Sequence, residues 1–502
     1  MPTFLIVLDI PSIKDYVFAT DRLIQIRGAS ALLDHLNRVL MDEFLKKELA
    51  APVECVFSGG GTAHFVIEAE REAILTALAR LHSLFGKKSA GGIRLIYGLG
   101  ELSGADYATA LQVALTELQQ RKEQVPHLPA PLLHTGFLRE CDSCSAPAGH
   151  LITYGERDMV LCNSCLIKMQ QGRQRGVWQE LAAYLPADPD PDRLRPRDFE
   201  EIGARCQSAP GYVALIYADG NAMGKIIKRL RTIEEFRFFS SMVDQAIRAA
   251  CFENIRDLCP IREDKLPVDI LLLGGDDLLV YLAADLAIPF ALAAARRFQE
   301  KTQAALARQP TLAGVVGAAG VTLSLGIAFG RSHTPFSVLL DQAEELLQSA
   351  KQAGAQVGGD SPLTYIDYHL ASYFNQIRVA DCRQNQLTLR QGPIITRLYQ
   401  KPYSLEQLAQ LWQEAQNWLA AKIPASRVKR LGYAPVLGKL QGTLAFLKAY
   451  VRAKEHHREV IWQTLQQFGC SGFHFPWRAT KADEYTTMLL DLAELTEFAS
   501  PT

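Results

Sequence analysis

DILLLGGDDLLVYLA, Asp269 to Ala283, consists of two short apolar runs parted by Gly274-Gly275-Asp276-Asp277. Runs of this length around a glycine-rich turn read as a two-stranded hairpin. Working outward, VALIYADG (Val213–Gly220) is a further apolar strand that ends at Asp219. A helical pattern over about Ile233–Leu258 separates it from the hairpin. Downstream come a helix over about Pro289–Ala307, a strand over Val321–Phe329 and a helix over Pro335–Gln352. The order β-α-β-β-α-β is the ferredoxin-like arrangement.

The same order occurs earlier in the chain. FLIVLDI (Phe4–Ile10) ends near Asp9, a helix is expected over about Ala29–Leu49, and VECVFSGGGTAHFVIEA (Val53–Ala69) is a second glycine-split hairpin. A helix over about Arg71–Phe85, a strand over Ile93–Leu99 and a helix over Ala105–Arg121 complete the copy. An internal repeat of this kind implies two similar units packed together. The arrangement is also the core of the palm domains of many polymerases and cyclases, although fold alone does not give function.

The chemistry is read from how the copies differ. Transfer of a nucleotidyl group needs divalent ions that stabilise the attacking and leaving oxygens. Hard Mg²⁺ or Mn²⁺ ions need carboxylates from neighbouring strands. Asp219, Asp276 and Asp277 supply such a set, and bare Gly274 and Gly275 leave room for a triphosphate. Glycine and aspartate are also ordinary turn residues. The first copy acts as a control, because it makes its turn as Gly59-Gly60-Gly61-Thr62 without an acid. It keeps Asp9 but lacks hairpin acids, so it is expected to be catalytically dead. Lys351 closes a helical stretch after the strand bearing Ser324. It either reaches a phosphate or answers the helix dipole. Lys225 and Lys228 carry the same ambiguity.

Cys141 and Cys144 form one C-x2-C knuckle, and Cys162 and Cys165 a second. Two knuckles on a short hairpin suit tetrahedral Zn²⁺, and four thiolates leave no open position, so the zinc would be structural. A pair of disulfides is the alternative. The other six cysteines are scattered singly. With no basic, apolar leader at Met1–Ile10, they suggest a reducing cytoplasm. The 502 residues carry 53 Lys+Arg against 54 Asp+Glu, a net charge of −1 that excludes a wholesale cationic nucleic-acid binder. No apolar window is long enough for a membrane span.

Taken together, Asp219-Gly220-Asn221-Ala222-Met223-Gly224, the Gly-Gly-Asp-Asp turn, SLGIA (324–328) and AEELLQSAK (343–351) resemble the large signature subunit of type III CRISPR effector complexes. So do the opening LDIPSIKDYVFATDRLIQIRGASALL (Leu8–Leu33), the four-cysteine insert and, more weakly, Lys401-Pro402-Tyr403-Ser404. The resemblance implies synthesis of cyclic oligoadenylates from ATP when the complex binds target RNA, with other effector subunits and guide RNA as partners. It implies that Asp219, Asp276 and Asp277 hold the metals. It further places Gly220, Asn221, Gly274, Gly275 and Ser324 by the nucleotide, and Lys351 on phosphate. The chain departs from it twice. Many members carry an HD nuclease domain, yet none of the eleven histidines here is followed by aspartate, so that activity is not expected. Asn221 stands where the family often has Asp.

The expected architecture is α+β. A first palm spans residues 1–135, a zinc-binding and helical insert 136–208, a second palm 209–370 and a helical domain 371–502, with the palms packed face to face. Pro186–Asp198, rich in proline and aspartate, reads as a linker or surface crossing between the insert and the second palm. Ser404 with Gln407 reads as a capping box opening a helix whose apolar face is Leu405, Leu408, Trp412, Ala415 and Leu419. Lys422–Arg458 holds nine cations against Glu455. That is either a solvated face or a surface for RNA or an acidic partner subunit. Two other readings compete with the synthetase: a scaffold subunit with a relic turn, and a GTP-using diguanylate-type cyclase. Asp277 in place of that cyclase's usual Glu, the duplication and the cysteine insert speak against the second.

Overall fold

The computed structural model describes residues 1–102, 106–124, 139–154, 157–174, 176–186, 190–359, 361–371 and 378–500. The expected boundary at 135/136 and Ala105, the expected start of a helix, lie outside the described residues.

Both copies of the repeat fold as read. In the first, strands β1 (Thr3–Asp9), β2 (Val53–Gly59), β3 (Thr62–Glu68) and β4 (Ile96–Glu101) form a sheet in the order β2-β3-β1-β4. A hairpin of β5 (His150–Tyr154) and β6 (Arg157–Leu161) follows in the cysteine insert. In the second copy, β7 (Tyr212–Gly220), β8 (Val268–Gly274), β9 (Asp277–Ala283) and β10 (Leu323–Arg331) repeat the order as β8-β9-β7-β10. Here β11 (Tyr365–Leu370) adds a parallel strand on β10, and Tyr403–Ser404 pairs antiparallel with β11.

Strand alternation ties the palms into one body. Phe4, Ile6 and Leu8 of β1 share a core with Val213, Leu215 and Tyr217 of β7. Their neighbours Leu5 and Val7 share another core with Ala214, Ile216 and Ala218. The copies pack on each other reciprocally, with a helix of each against a strand of the other. Leu23–His35 packs on β8, and Ile233–Leu258 packs on β2. The helix expected from about Ala29 starts at Leu23, and Leu23 and Ile26 are buried. It crosses the helix Asn163–Gln171 of the insert so closely that a Cβ on Gly28 would lie 1.7 Å from the Lys168 carbonyl oxygen.

The expected linker is packed and not free, with Pro191 and Leu194 buried in a short helix; residues 187–189 lie outside the described set. Beyond β11 the chain is mainly helical. The Ser404–Gln407 box forms, and Leu405, Leu408, Trp412 and Ala415 are buried. A small sheet of Thr388–Gln391, Ile394–Arg397, Glu484–Thr486 and Arg478–Lys481 accompanies the helices.

One buried ion pair joins three parts of the chain. Arg27 of the first palm pairs with Asp269 on β8 and donates to the Pro196 carbonyl at 2.7 Å. The Trp178 indole donates to the same carboxylate at 3.1 Å. Removing one partner strands the other charge, which typically costs about 3–5 kcal/mol. Arg27→Met is therefore expected to lower the denaturant midpoint strongly, and Arg27→Met with Asp269→Leu to recover much of the loss. Equal midpoints for wild type and Arg27→Met would contradict this.

Candidate active site

The strand register brings the second palm's acids together. The β7–β9 ladder ends at Ala218–Leu278, so Asp219 and Asp277 are the next residues out from the last pair. Asp277 opens β9 opposite Gly274, and Gly275 makes the turn at φ 63°. Asp276 lies against Gly220, where a Cβ would meet its Oδ2 at 3.0 Å. Glycine after Asp219 is thus what lets the hairpin acid sit beside the strand end.

The first palm has the same register with other side chains. Asp9 is paired with Thr62, so Gly61 and Thr62 occupy the places of Asp276 and Asp277. Ile13 fills the space there, since a Cβ on Gly61 would lie 2.0 Å from its Cδ1. Half of the arrangement survives. Lys122, on the helix Tyr107–Gln124, bonds Asp9 at 2.7 Å, and Lys351, on the helix Phe336–Gly358, pairs with Asp219 in the same way.

Burial and mutual repulsion shape the acids. Burial raises the Asp276 carboxyl above the usual range, against hydrogen bonds from its own and the Gly220 backbone amides. The Asp277 carboxyl is pushed to about 7 by burial and by the Asp276 charge, with Lys14 opposing. Lys351 is lowered by burial and then by the Lys14 charge. Tyr217 is raised by burial and by three surrounding carboxylates, Asp277, Glu344 and Asp276.

Lys14, which sequence reasoning did not single out, comes from the first palm. It bonds Glu344 at 2.7 Å and stands 4.6 Å from the Tyr217 ring centre. It lines a cavity of about 120 Å³ together with Asp277, Gly60, Gly61 and Gly274. It also lines a larger cleft of about 1140 Å³ that runs past Tyr217 and Glu344 to Tyr399. Asn221 and Ser324, expected at the nucleotide, are buried and bonded to each other at 2.8 Å; Asn221 also donates to Thr322. Ser324 is the ladder partner of Asp219 across β7 and β10. Lys225 and Lys228 are exposed at the short helix Met223–Ile227.

A second missed group holds the turn. Asp244 accepts from the Gly275 amide at 3.1 Å and from Arg38 of the first palm at 2.6 Å. Arg248 donates to the Leu273 carbonyl at 3.3 Å and pairs with Asp244 and, across the copies, with Asp34. Arg38 also bonds Asp34 at 2.7 Å. A sequence signal existed: each palm carries Asp-x-x-x-Arg, beginning 25 residues after its strand-end acid (34 − 9 and 244 − 219).

The four paired cysteines converge, with all sulfurs within 4.8 Å of one another. Tetrahedral zinc–thiolate sites place sulfurs about 3.8 Å apart, and Cys144 and Cys162 are 3.6 Å apart. The group is compatible with zinc. Among the described residues no set of three carboxylates is drawn together that closely. Asp219 is turned to Lys351.

Residues 212–357 match the family model described as Cas10/Cmr2, second palm domain. The second palm is a Cas10/Cmr2 palm domain. The chain also has the fold of Csm1, the Cas10 protein of type III CRISPR complexes. Csm1 in T.onnurineus is 14% identical with a TM-score of 0.61, over 100% of this chain and 70% of that one. A Csm1–Csm4 cassette in complex with pppApApA is 15% identical with a TM-score of 0.62, over 99% and 69%. A cassette in complex with cA4 is 16% identical with a TM-score of 0.57, over 99% and 70%. No curated protein matches the sequence. Among the described residues no helix is long and apolar enough to cross a membrane.

The Asp277 shift gives a signed prediction. A carboxyl raised above its unfolded value costs stability as pH climbs from the unfolded to the folded pKa, and the full cost remains above that. Asp277→Asn removes the cost. Its melting temperature without divalent ions is expected to exceed wild type at about pH 8 and to approach it at about pH 4. A rise to about 7 corresponds to at most about 4 kcal/mol. Equal melting temperatures at both pH values would contradict the burial of this acid.

Proposed function

We propose that the chain is a metal-dependent nucleotidyltransferase that makes cyclic oligoadenylates from ATP in antiviral defence. It would work in the cytoplasm beside other CRISPR effector subunits and guide and target RNA. The observation that carries this reading is the asymmetry between two palms of one register. Acids stand at the turn in the Cas10/Cmr2 palm, and Ile13 fills the matching space in the other. The choice of ATP follows the adenylate ligands of the Csm1–Csm4 neighbours.

In this account Asp219, Asp276 and Asp277 hold Mg²⁺ or Mn²⁺, which supplies charge neutralisation to the attacking and leaving oxygens. Gly274 and Gly275 let the triphosphate approach the backbone. Lys351, drawn from Asp219 to the phosphates, offsets their charge, and Lys14 reaches the same cleft from the first palm. The 3′-hydroxyl of one nucleotide attacks the α-phosphorus of another, the bond to the bridging oxygen breaks, and pyrophosphate leaves. Zn²⁺ on Cys141, Cys144, Cys162 and Cys165 is structural.

Purified protein incubated with labelled ATP and Mg²⁺ or Mn²⁺, with and without target RNA, is expected to form oligonucleotide product. Asp219→Ala, or Asp276→Ala with Asp277→Ala, is expected to cut the rate about a thousandfold or more, the effect of losing ~4 kcal/mol of transition-state stabilisation. Asp9→Ala is expected to leave the rate nearly intact. Product from either of these variants at the wild-type rate would move the active site elsewhere. A silent wild type with its RNA supplied would favour a scaffold.

Metal analysis tests the insert. Wild type is expected to carry one zinc, and Cys141→Ser to lose it together with much of the insert's stability. Wild-type protein without any firmly bound metal would contradict the assignment.

A further inference from the structure

The helix Asn163–Gln171 of the insert carries a lysine that is turned inward. Lys168 lies one turn beyond Cys165 and is only 2% exposed. Lysine is almost never buried so fully without a partner. Among the described residues it makes no ion pair with a carboxylate. Burial lowers its pKa, and the charges opposing that are those of Cys165, Cys144, Cys162 and Cys141. Its ammonium donates to the Tyr16 carbonyl and lies 4.2 Å from the centre of the Tyr16 ring. Tyr16 belongs to the short helix Ile13–Val17, whose Ile13 fills the first palm's turn and whose Lys14 lines the cleft. The ring is wedged against the second knuckle: a Cβ on Gly92 would lie 2.5 Å from the Tyr16 Cε2 and 3.1 Å from the Ser164 Oγ.

We propose that Lys168 is a positioning residue that couples the four-cysteine centre to the short helix bearing Lys14. The coupling rests on the zinc assignment proposed above. A divalent ion on four thiolates leaves a net charge of about −2. A buried charge of that kind calls for a cation close by. An ammonium has three donors, so Lys168 can answer the centre and hold the Tyr16 carbonyl together. Without metal the thiols regain their protons. The ammonium is then left buried beside neutral sulfur, and turning it to water releases the Tyr16 carbonyl. The helix of Lys168 weakens with it. The Cys162 sulfur accepts from the Cys165 amide at 3.4 Å at the start of that helix, and a thiolate accepts better than a thiol. The effect is reciprocal: metal that favours the Tyr16 contact is itself favoured by that contact. Lys14 stands two residues from Tyr16 on the same short helix, so occupancy of the insert is felt in the cleft.

Hydrogen–deuterium exchange on the full chain reads the coupling. The amides of Tyr16 and Phe18 bond the Ser12 and Lys14 carbonyls, so a peptide covering 13–18 reports on the short helix. Chelating zinc from wild type is expected to speed exchange there about tenfold or more and to leave the helix Leu405–Ala420 unchanged. That arm needs no substitution. Zinc-loaded Lys168→Met is expected to show the faster exchange at 13–18 and to yield its metal to a chromogenic chelator about tenfold more readily. Lys168→Arg, which keeps the cation, is expected to retain zinc better than Lys168→Met. Circular dichroism melts establish that each variant is folded. Exchange at 13–18 that ignores the metal, or a rise that spreads equally to Leu405–Ala420, overturns the proposal. So does equal zinc retention by wild type and Lys168→Met, or by the two variants. With zinc bound to wild type, these results overturn the coupling alone, whereas a wild type that binds no zinc overturns the zinc assignment as well.

Discussion

The site depends on a square of four charges between the palms. Asp34 and Arg38 come from the first copy, Asp244 and Arg248 from the second, and each arginine touches both acids. The square holds both sides of the Gly274–Gly275 turn, through the Leu273 carbonyl and the Gly275 amide. Beside it the two glycine turns meet: a Cβ on Gly275 would lie 3.6 Å from the Gly60 Cα. That is ordinary van der Waals contact, and both glycines hold a positive φ, 61° at Gly60 and 63° at Gly275, that L side chains rarely adopt. Because Arg248 and Asp244 are mostly shielded, removing either one strands the other charge beside the turn that carries Asp276 and Asp277, a larger cost than breaking an exposed pair.

The duplication gives the first copy a part in the arrangement around the second copy's turn. It keeps the Asp–Lys pair of the second copy, as Asp9 and Lys122, but Ile13 closes its turn. Its contribution is architectural and electrostatic. Arg38 clamps the partner turn, and Lys14 projects into the partner cleft beside Glu344 and Tyr217. The cysteine insert is coupled to the same helix through the close approach at Gly28, and Arg27 on that helix secures β8. A disturbance of the four paired cysteines therefore has a short path to the helix that supplies Asp34.

Strands and turns were legible because apolar runs punctuated by glycines have few other folded uses. The cysteine cluster was legible because its spacing is restrictive. The ion square was not, since charged pairs at i and i+4 read as a solvated helix face until a second copy packs on them. Lys14 was hidden for a related reason, because its neighbours lie more than two hundred residues away in the chain. Asn221 and Ser324 were read from their positions beside Asp219, and only burial shows that they bond each other. The small sheet near the C-terminus escaped notice because its strands are three or four residues long, and Arg478–Lys481 is exposed throughout.

The central claim is that one palm reacts while both palms build the site. The most direct test is pyrophosphate release from ATP and Mn²⁺ by Arg38→Ala, a change in the first palm that touches none of Asp219, Asp276 and Asp277. Measured beside wild type with folding verified, the rate is predicted to fall at least about tenfold, equivalent to ~1.4 kcal/mol of lost transition-state stabilisation. An unchanged rate in the folded variant would contradict the account.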